Sequence, residues 1–335
     1  MALIDFKVLP GIDKQDTASG AEFRWIDCDN TRFRYGLPEK VGGWSSLVTD
    51  TIVGVARREF AFVDLDGNRY VAIGTDKFLL IYFEGQLYDI TPLKTTLTSA
   101  TLATTNTSAI CSITTGTNHN LSVGDIVLLD TVTLPVGTGY VDADFENKLF
   151  QVTSITSATV FTITQSTAAT ATVGTGGSLS VKPYEQVGPA EQSYGYGWGI
   201  DTWSSGKWGE AASASDVSLE PGLWSLSNFG QVLVATIANG KTFTWNAGDA
   251  ARLTTRASTA TSGFETTNNP TATRITLVSP TTRHLIHLGT ETTIGDPTTQ
   301  DDMFIRFSDQ EDINDYVPTA INSAGSQRLQ DGTRI

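Results

Sequence analysis

An all-β fold is predicted, on three observations. Short apolar or aromatic runs alternate with polar residues at period two, as in Phe150-Gln151-Val152-Thr153-Ser154 and Phe161-Thr162-Ile163. Turn dipeptides such as Asp66-Gly67 and Asn239-Gly240 fall between those runs. Long runs of helix formers are missing, Thr, Ser and Gly are abundant, and charged residues make up only 17%. At 335 residues the chain is long enough for two domains, or for one large β domain carrying an insertion.

Residues 1–50 read as irregular. Pro10-Gly11, Gly36-Leu37-Pro38 and Gly42-Gly43-Trp44 are turn signals. Between them Phe23-Arg24-Trp25-Ile26 and Thr31-Arg32-Phe33-Arg34-Tyr35 alternate aromatic with basic residues, which suits two short strands. Arg24, Arg32 and Arg34 then lie on a solvated strand face or against a partner's acidic surface. From 52 to 93 the series of short strand and turn repeats four times, with strands at 60–63, 69–74, 78–82 and 86–92. Four strands in about forty residues is the size and rhythm of one β-propeller blade.

Between Thr95 and Gly177 Thr, Ser and Ala dominate and aromatics are few. Strand candidates fall at 109–113, 126–129, 150–155 and 160–164, with a turn at Leu121-Ser122-Val123-Gly124-Asp125. We expect a compact β-barrel or sandwich over 95–182, inserted at the tip of a blade. Residues 183–335 return to the earlier character. Strands at 231–236 and 241–245 flank Asn239-Gly240, and strands at 275–278, 283–289 and 303–308 repeat the theme of further propeller-like blades. Three blade-like units do not close a propeller, which needs about four to eight. The expected architecture is therefore a β-propeller-like protomer, incomplete in a chain that continues or is truncated. Its parts are an N-terminal arm and first blade over 1–94, the insert, and the later blades.

A net charge of −14 argues against gripping nucleic acid, because a DNA-binding surface needs clustered Lys and Arg to displace counterions. It leaves open a wall past which DNA slides. Cys28 and Cys111 are far apart and form no CxxC pair, so two buried thiols of a reducing compartment are expected. Met1-Ala2-Leu3-Ile4-Asp5-Phe6-Lys7 lacks the basic start and apolar core of a signal peptide. No apolar run approaches the ~20 residues of a membrane helix. A soluble chain made in the cytoplasm is the expectation.

Candidate chemistry is sparse. His284 and His287, three apart on a strand, point to opposite faces, and His119 reads as turn structure, so no metal site is expected. Asp64-x-Asp66-Gly67-Asn68 resembles part of a calcium loop but lacks the distal Glu, and turn chemistry accounts for it. Asp142, Asp144 and Glu146 cluster as paired carboxylates of a glycosidase would, although a polar loop tip is the simpler reading. No nucleophile elbow, Walker loop or dinucleotide fingerprint is present. Trp198, Trp203 and Trp208, interleaved with glycine, stack on sugar rings or a partner's surface, or else wedge blade against blade.

Several stretches in order resemble the tail hub proteins (nozzle, or packaged-DNA-stabilisation type) of short-tailed bacteriophages. They are Leu9-Pro10-Gly11-Ile12 with the run from Arg32-Phe33-Arg34-Tyr35 through Gly42-Gly43-Trp44, then Tyr196-Gly197-Trp198-Gly199 with Trp203 and Trp208. Phe307-Ser308-Asp309 with Ile313, Tyr316 and Pro318 completes the set. The segment from His119-x-Leu121-x-Val123-Gly124-Asp125 to Phe161-Thr162-Ile163 looks like a small β-domain that recurs as an insertion in phage virion proteins. The resemblance implies a propeller-like protomer, a homohexameric ring beneath the portal and adaptor, contacts with tail fibre proteins, and a channel for DNA ejection that is plugged beforehand. It also implies a place in the virion tail, no catalysis, no cofactor and no sequence-specific DNA binding. The alternative is a receptor-binding fibre or spike protein that recognises host glycan through Trp198, Trp203 and Trp208. A third reading is an envelope hydrolase using the acidic loop.

Overall fold

Among the described residues four sheets are built from strands paired antiparallel in chain order, and six further strands close a barrel. The computed structural model describes residues 8–46, 48, 50–192, 220–258 and 269–333. The chain forms two compact units, Met1–Thr49 and Asp50–Ile335. Among the described residues helix is confined to 3-10 turns at Asp142–Asp144 and Pro297–Thr299, so the protein is all-β.

In the first unit β1 (Leu9–Ile12) pairs in parallel with β2 (Arg24–Trp25). Strand β3 (Thr31–Arg34) pairs antiparallel with β4 (Leu37–Lys40). The connecting Tyr35 and Gly36 have φ of 51° and 82°, positive at both central positions as a tight hairpin requires. The turn expected at Gly36-Leu37-Pro38 thus lies one residue earlier, and Pro38 is a strand residue opposite Phe33. Ala21 is the only buried residue described here.

The second unit begins with a four-stranded antiparallel meander of β5 (Ala56–Val63), β6 (Arg69–Thr75), β7 (Leu79–Phe83) and β8 (Gln86–Asp89). Burial alternates along it, with Tyr70, Ala72, Leu79, Ile81 and Phe83 inward. The barrel intervenes, as 97–183. Its strands are β9 (Leu97–Thr104), β10 (Ile110–Thr114), β11 (Ile126–Thr133), β12 (Lys148–Ser157), β13 (Val160–Thr164) and β14 (Val173–Pro183). They close in the order β10-β13-β12-β11-β14-β9, each pair antiparallel, with β9 returning to β10. Register shifts between β12 and β13 and between β14 and β9 supply the curvature closure needs. Between the barrel and sandwich forms left open by the sequence, the structure is a closed barrel. Phe145, Phe161, Ile163, Leu129 and Val181 fill it.

Next comes a three-stranded meander of β15 (Trp224–Phe229), β16 (Val232–Ile237) and β17 (Thr242–Asn246), then a four-stranded one of β18 (Thr273–Val278), β19 (Leu285–Thr290), β20 (Phe304–Phe307) and β21 (Gly325–Arg328). The meanders pack in chain order: β15 lies on β5 and β6, and β15 and β16 lie on β18. One core unites the first two, with Trp245 edge-on to Tyr70 at 5.6 Å. Trp224 seats its ring directly over Gly74 and donates Nε1–H to the Thr75 carbonyl at 3.0 Å. A Cβ on Gly74 would come within 2.7 Å of that ring, so only glycine permits the approach. Ser225 and Ser227 of β15 bond to backbone groups of Thr276 and Val278, which satisfies the open edge of β18.

These three meanders are stacked in series, and among the described residues they do not close into a propeller. The interface between the second and third is also partly polar, a chain of Thr242, Thr236 and Thr276 hydroxyls at 2.8 Å each. Both cysteines are free; Cys111 is buried in the barrel core, whereas Cys28 is only half-buried, contrary to the expectation of two buried thiols.

Candidate interaction surfaces

The stem at 187–190 and 220–222 carries the clearest built geometry. Gly188, at φ 133°, and Gly222 lie so close that a Cβ on either would meet the other's backbone at 2.8–2.9 Å. Gly222 N–H donates to the Pro189 carbonyl at 2.9 Å. Arg57, from β5, donates to the carbonyls of Gly222 at 2.8 Å and Pro189 at 3.4 Å, and to that of Ala190. One guanidinium thus fastens both sides of the stem, a use of its planar fork of donors. The chain between the two sides contains Trp198, Trp203 and Trp208, all three of which lie outside the described residues.

Beside the stem a groove of about 1250 Å³ is lined by Glu220, Arg274, Gln300, Asp301, Asp302 and Arg328 among others. Its charges are paired internally. Arg274 bridges Glu220 at 2.9 Å and Asp302 at 3.8 Å, and Arg328 meets Asp301 at 2.6 Å. The Met303 N–H and the Arg328 guanidinium hold the Asp301 carboxyl below its ordinary value. Carboxylates, guanidiniums and the Gln300 amide together form a mixed donor and acceptor lining.

A second built feature joins the barrel to the meanders. The two barrel arms run side by side, with Lys94 N–H on the Pro183 carbonyl at 2.8 Å and Glu185 N–H on the Pro92 carbonyl at 2.9 Å. There Tyr184 donates its hydroxyl to Asp89 at 2.6 Å. Arg256 donates to Asp89 at 2.9 Å and to the Tyr184 oxygen at 2.6 Å, with its carbon 4.7 Å from the ring centroid. Burial first, and then the Asp89 charge, push the Tyr184 phenol well up. The sequence offered no signal for this node, because its members are brought together from three separate segments.

The other sequence candidates resolve into structure. His119 accepts from Leu121 N–H at Nδ1 and therefore donates from Nε2 to the Ser157 carbonyl, each at 3.0 Å. His287 is fully buried between Thr273 and the Tyr316 hydroxyl, and burial lowers it to about 3 with Arg306 reinforcing the shift. His284 bonds to the Ser308 carbonyl instead, at 2.8 Å. Asp64 accepts from Asp66 N–H, Asn68 N–H and the Tyr70 hydroxyl; burial opposes its ionisation, but these bonds and that of the Asn68 amide hold it below its ordinary value. That is turn chemistry. Asp142, Asp144 and Glu146 each cap backbone N–H groups, of Leu134, Val141, and Thr131 with Val132. Among the described residues no group of three or more His, Cys, Asp or Glu side chains is placed to hold a metal ion.

The hairpin of the first unit is a third surface. Tyr35 is 92% exposed, Leu37 70%, and Trp44 fully. Arg32 is bridged to Glu39 at 3.2 Å, while Arg34 lies 5.4 Å from the Tyr35 ring centroid.

No protein family and no curated protein matches the chain. Among solved structures it is similar to the phage phi92 endosialidase, at 14% identity and a TM-score of 0.25, over 89% of this chain and 41% of that one. The chain thus spans about two fifths of that protein's length, and at this score the likeness does not establish a shared fold.

Proposed function

We propose that the chain is a structural, non-catalytic component of a bacteriophage virion that presents a recognition segment to a glycan of the host surface. The observation that carries this is the stem. Arg57 and the Gly188–Gly222 contact hold both sides of the segment bearing Trp198, Trp203 and Trp208 at one point of a rigid sheet. A binding segment held on a rigid base loses less conformational freedom on binding. Aromatic rings stack on the apolar faces of sugars, and the adjoining groove offers donors and acceptors for hydroxyls. The motif resemblance supplies the virion context. Under this reading the chain needs no cofactor. Trp203→Ala should leave particles assembled and reduce their adsorption to host cells; unchanged adsorption would remove the reading.

The second reading is a tail nozzle, favoured by the three meanders stacked in chain order. Here they are propeller-like blades, the barrel at 97–183 is an insertion on the outer wall, and copies form a ring, probed as a hexamer, that meets portal, adaptor and fibres. An acidic lumen would let DNA pass without a salt-dependent grip. Image averaging of intact particles separates the two readings: a ring around the DNA path supports the nozzle, and a peripheral location supports recognition.

A further inference from the structure

The first unit exposes aromatic and aliphatic side chains that its own strands cannot cover. Tyr35, Leu37 and Trp44 stand in solvent on or beside one hairpin, over a unit whose one buried side chain among the described residues is Ala21. Tyr35 and Leu37 lie two residues apart in the same hairpin, and exposed apolar side chains grouped in this way mark a contact surface.

The hairpin is also basic. Residues 31–40 hold Arg32, Arg34 and Lys40 against the single acid Glu39. Glu39 is taken by Arg32. Among the described residues neither Arg34 nor Lys40 has a carboxylate within ion-pair reach. The charge of the chain is distributed to match. Six basic and seven acidic residues leave positions 1–49 near neutral, so thirteen of the fourteen net negative charges lie beyond them. One acidic stretch there also exposes apolar side chains. Residues 309–321 hold Asp309, Glu311, Asp312 and Asp315 with no Lys or Arg, and Ile321 is 97% exposed with Val317 close by in sequence and half-exposed. That loop is preformed: Ser323 N–H donates to Asp309 at 2.7 Å and the Asn322 amide to Asp315 at 2.7 Å. A loop already ordered costs less to bind.

We propose that the β3–β4 hairpin of one copy docks on the 309–321 loop of a second copy, its aromatic and aliphatic side chains against Val317 and Ile321 and Arg34 facing the exposed Asp312, since Glu311 is bridged to Arg283 at 3.8 Å. The occupant is a second copy because the acidic, apolar complement of the hairpin is carried by this same chain. The contact is heterologous, since each copy offers one hairpin and one loop. Repetition gives a closed ring where the rotation closes and a filament where it does not. The proposal rests on the chain being a self-assembling virion component and names the surface by which copies join.

The test uses the full chain. Analytical ultracentrifugation of the wild type should show concentration-dependent association that weakens as salt rises. Arg34→Glu and Asp312→Lys should each weaken it by about tenfold or more, and the double variant should recover to within about threefold of wild type. A photo-crosslinker at position 35, in an equal mixture of light and heavy-isotope chains, should yield mixed-isotope crosslinks to peptide 309–321. A wild type monomeric at every concentration, single variants that associate like wild type, a double variant without recovery, or crosslinks only within one chain would each overturn the contact. Mass spectrometry of purified particles reads the virion assignment by itself. A chain missing from particles yet joined through its hairpin would end that assignment and leave the contact standing.

Discussion

The N-terminal unit and the barrel are built from similar material, short alternating strands with tight turns, and end in opposite states. In the barrel six strands close on each other, so every inward side chain meets others; Phe145 stacks on Phe150 at 5.5 Å and Phe161 receives His119 edge-on at 5.4 Å. Among the described residues of the N-terminal unit two pairs of strands stop short of a layer, and the rings of Trp25 and Phe33 lie 6.4 Å apart at the surface. Strand-forming sequence is therefore not what makes a domain. Closure is, because only a closed or layered arrangement removes apolar area from water on a scale that offsets the entropy of ordering the chain.

Phe161→Ala tests that contrast most severely. It should cost the barrel about 3–5 kcal/mol. All seven tryptophans lie outside 95–183, so amide exchange across β9 to β14, rather than fluorescence, reads the loss. Retention of wild-type protection would mean that the barrel is not held by its interior.

The meander body encloses its own interior as the barrel does, and there the trapped group is ionisable. His287 stays neutral when folded, at about 3, and titrates near its ordinary 6.5 when unfolded. The unfolded state thus binds the extra proton between those values, and stability is full above pH 6.5 and falls as pH drops toward 3. The slope from this group should approach about 1.4 kcal/mol per pH unit. Urea unfolding followed by the emission of Trp224 and Trp245 should show that slope, and His287→Gln should flatten it.

A smaller effect is expected at the barrel neck. Arg256→Ala removes the bonds to Asp89 and Tyr184 and should cost about 1–3 kcal/mol, with faster exchange at 93–95 and 184–185. Unchanged exchange would show the paired arms to be sufficient. At the other extreme, Trp44→Ser should change folding stability by less than about 0.5 kcal/mol, since the ring touches solvent on all sides. A larger loss in the isolated monomer would contradict the view that this unit has no interior of its own.

Much of the fold was legible in the residues, and for local reasons. Asp66-Gly67 and Asn239-Gly240 do turn the chain between paired strands, with φ of 85° at Gly67 and 60° at Asn239. The alternation at 150–154 puts Phe150 and Val152 into the barrel and Gln151 and Thr153 outside. Trp224 packed over Gly74 was not singled out by the sequence, and Trp198, Trp203 and Trp208 lie outside the described residues. The carboxylates at 142–146 were legible as a cluster but not as caps, because their partners are backbone donors up to fifteen residues away whose direction only the folded loop sets.

What the sequence determined by itself is where the chain turns and which side of each strand is apolar. Steric limits on φ and the two-residue pleat act within a few positions. The tertiary structure alone decided that six strands close into a barrel, that three meanders stack in series, and that Arg57 fastens carbonyls 132 to 165 residues away. Such contacts depend on apolar area and hydrogen-bond geometry shared between distant segments, and no local pattern encodes which segments will meet.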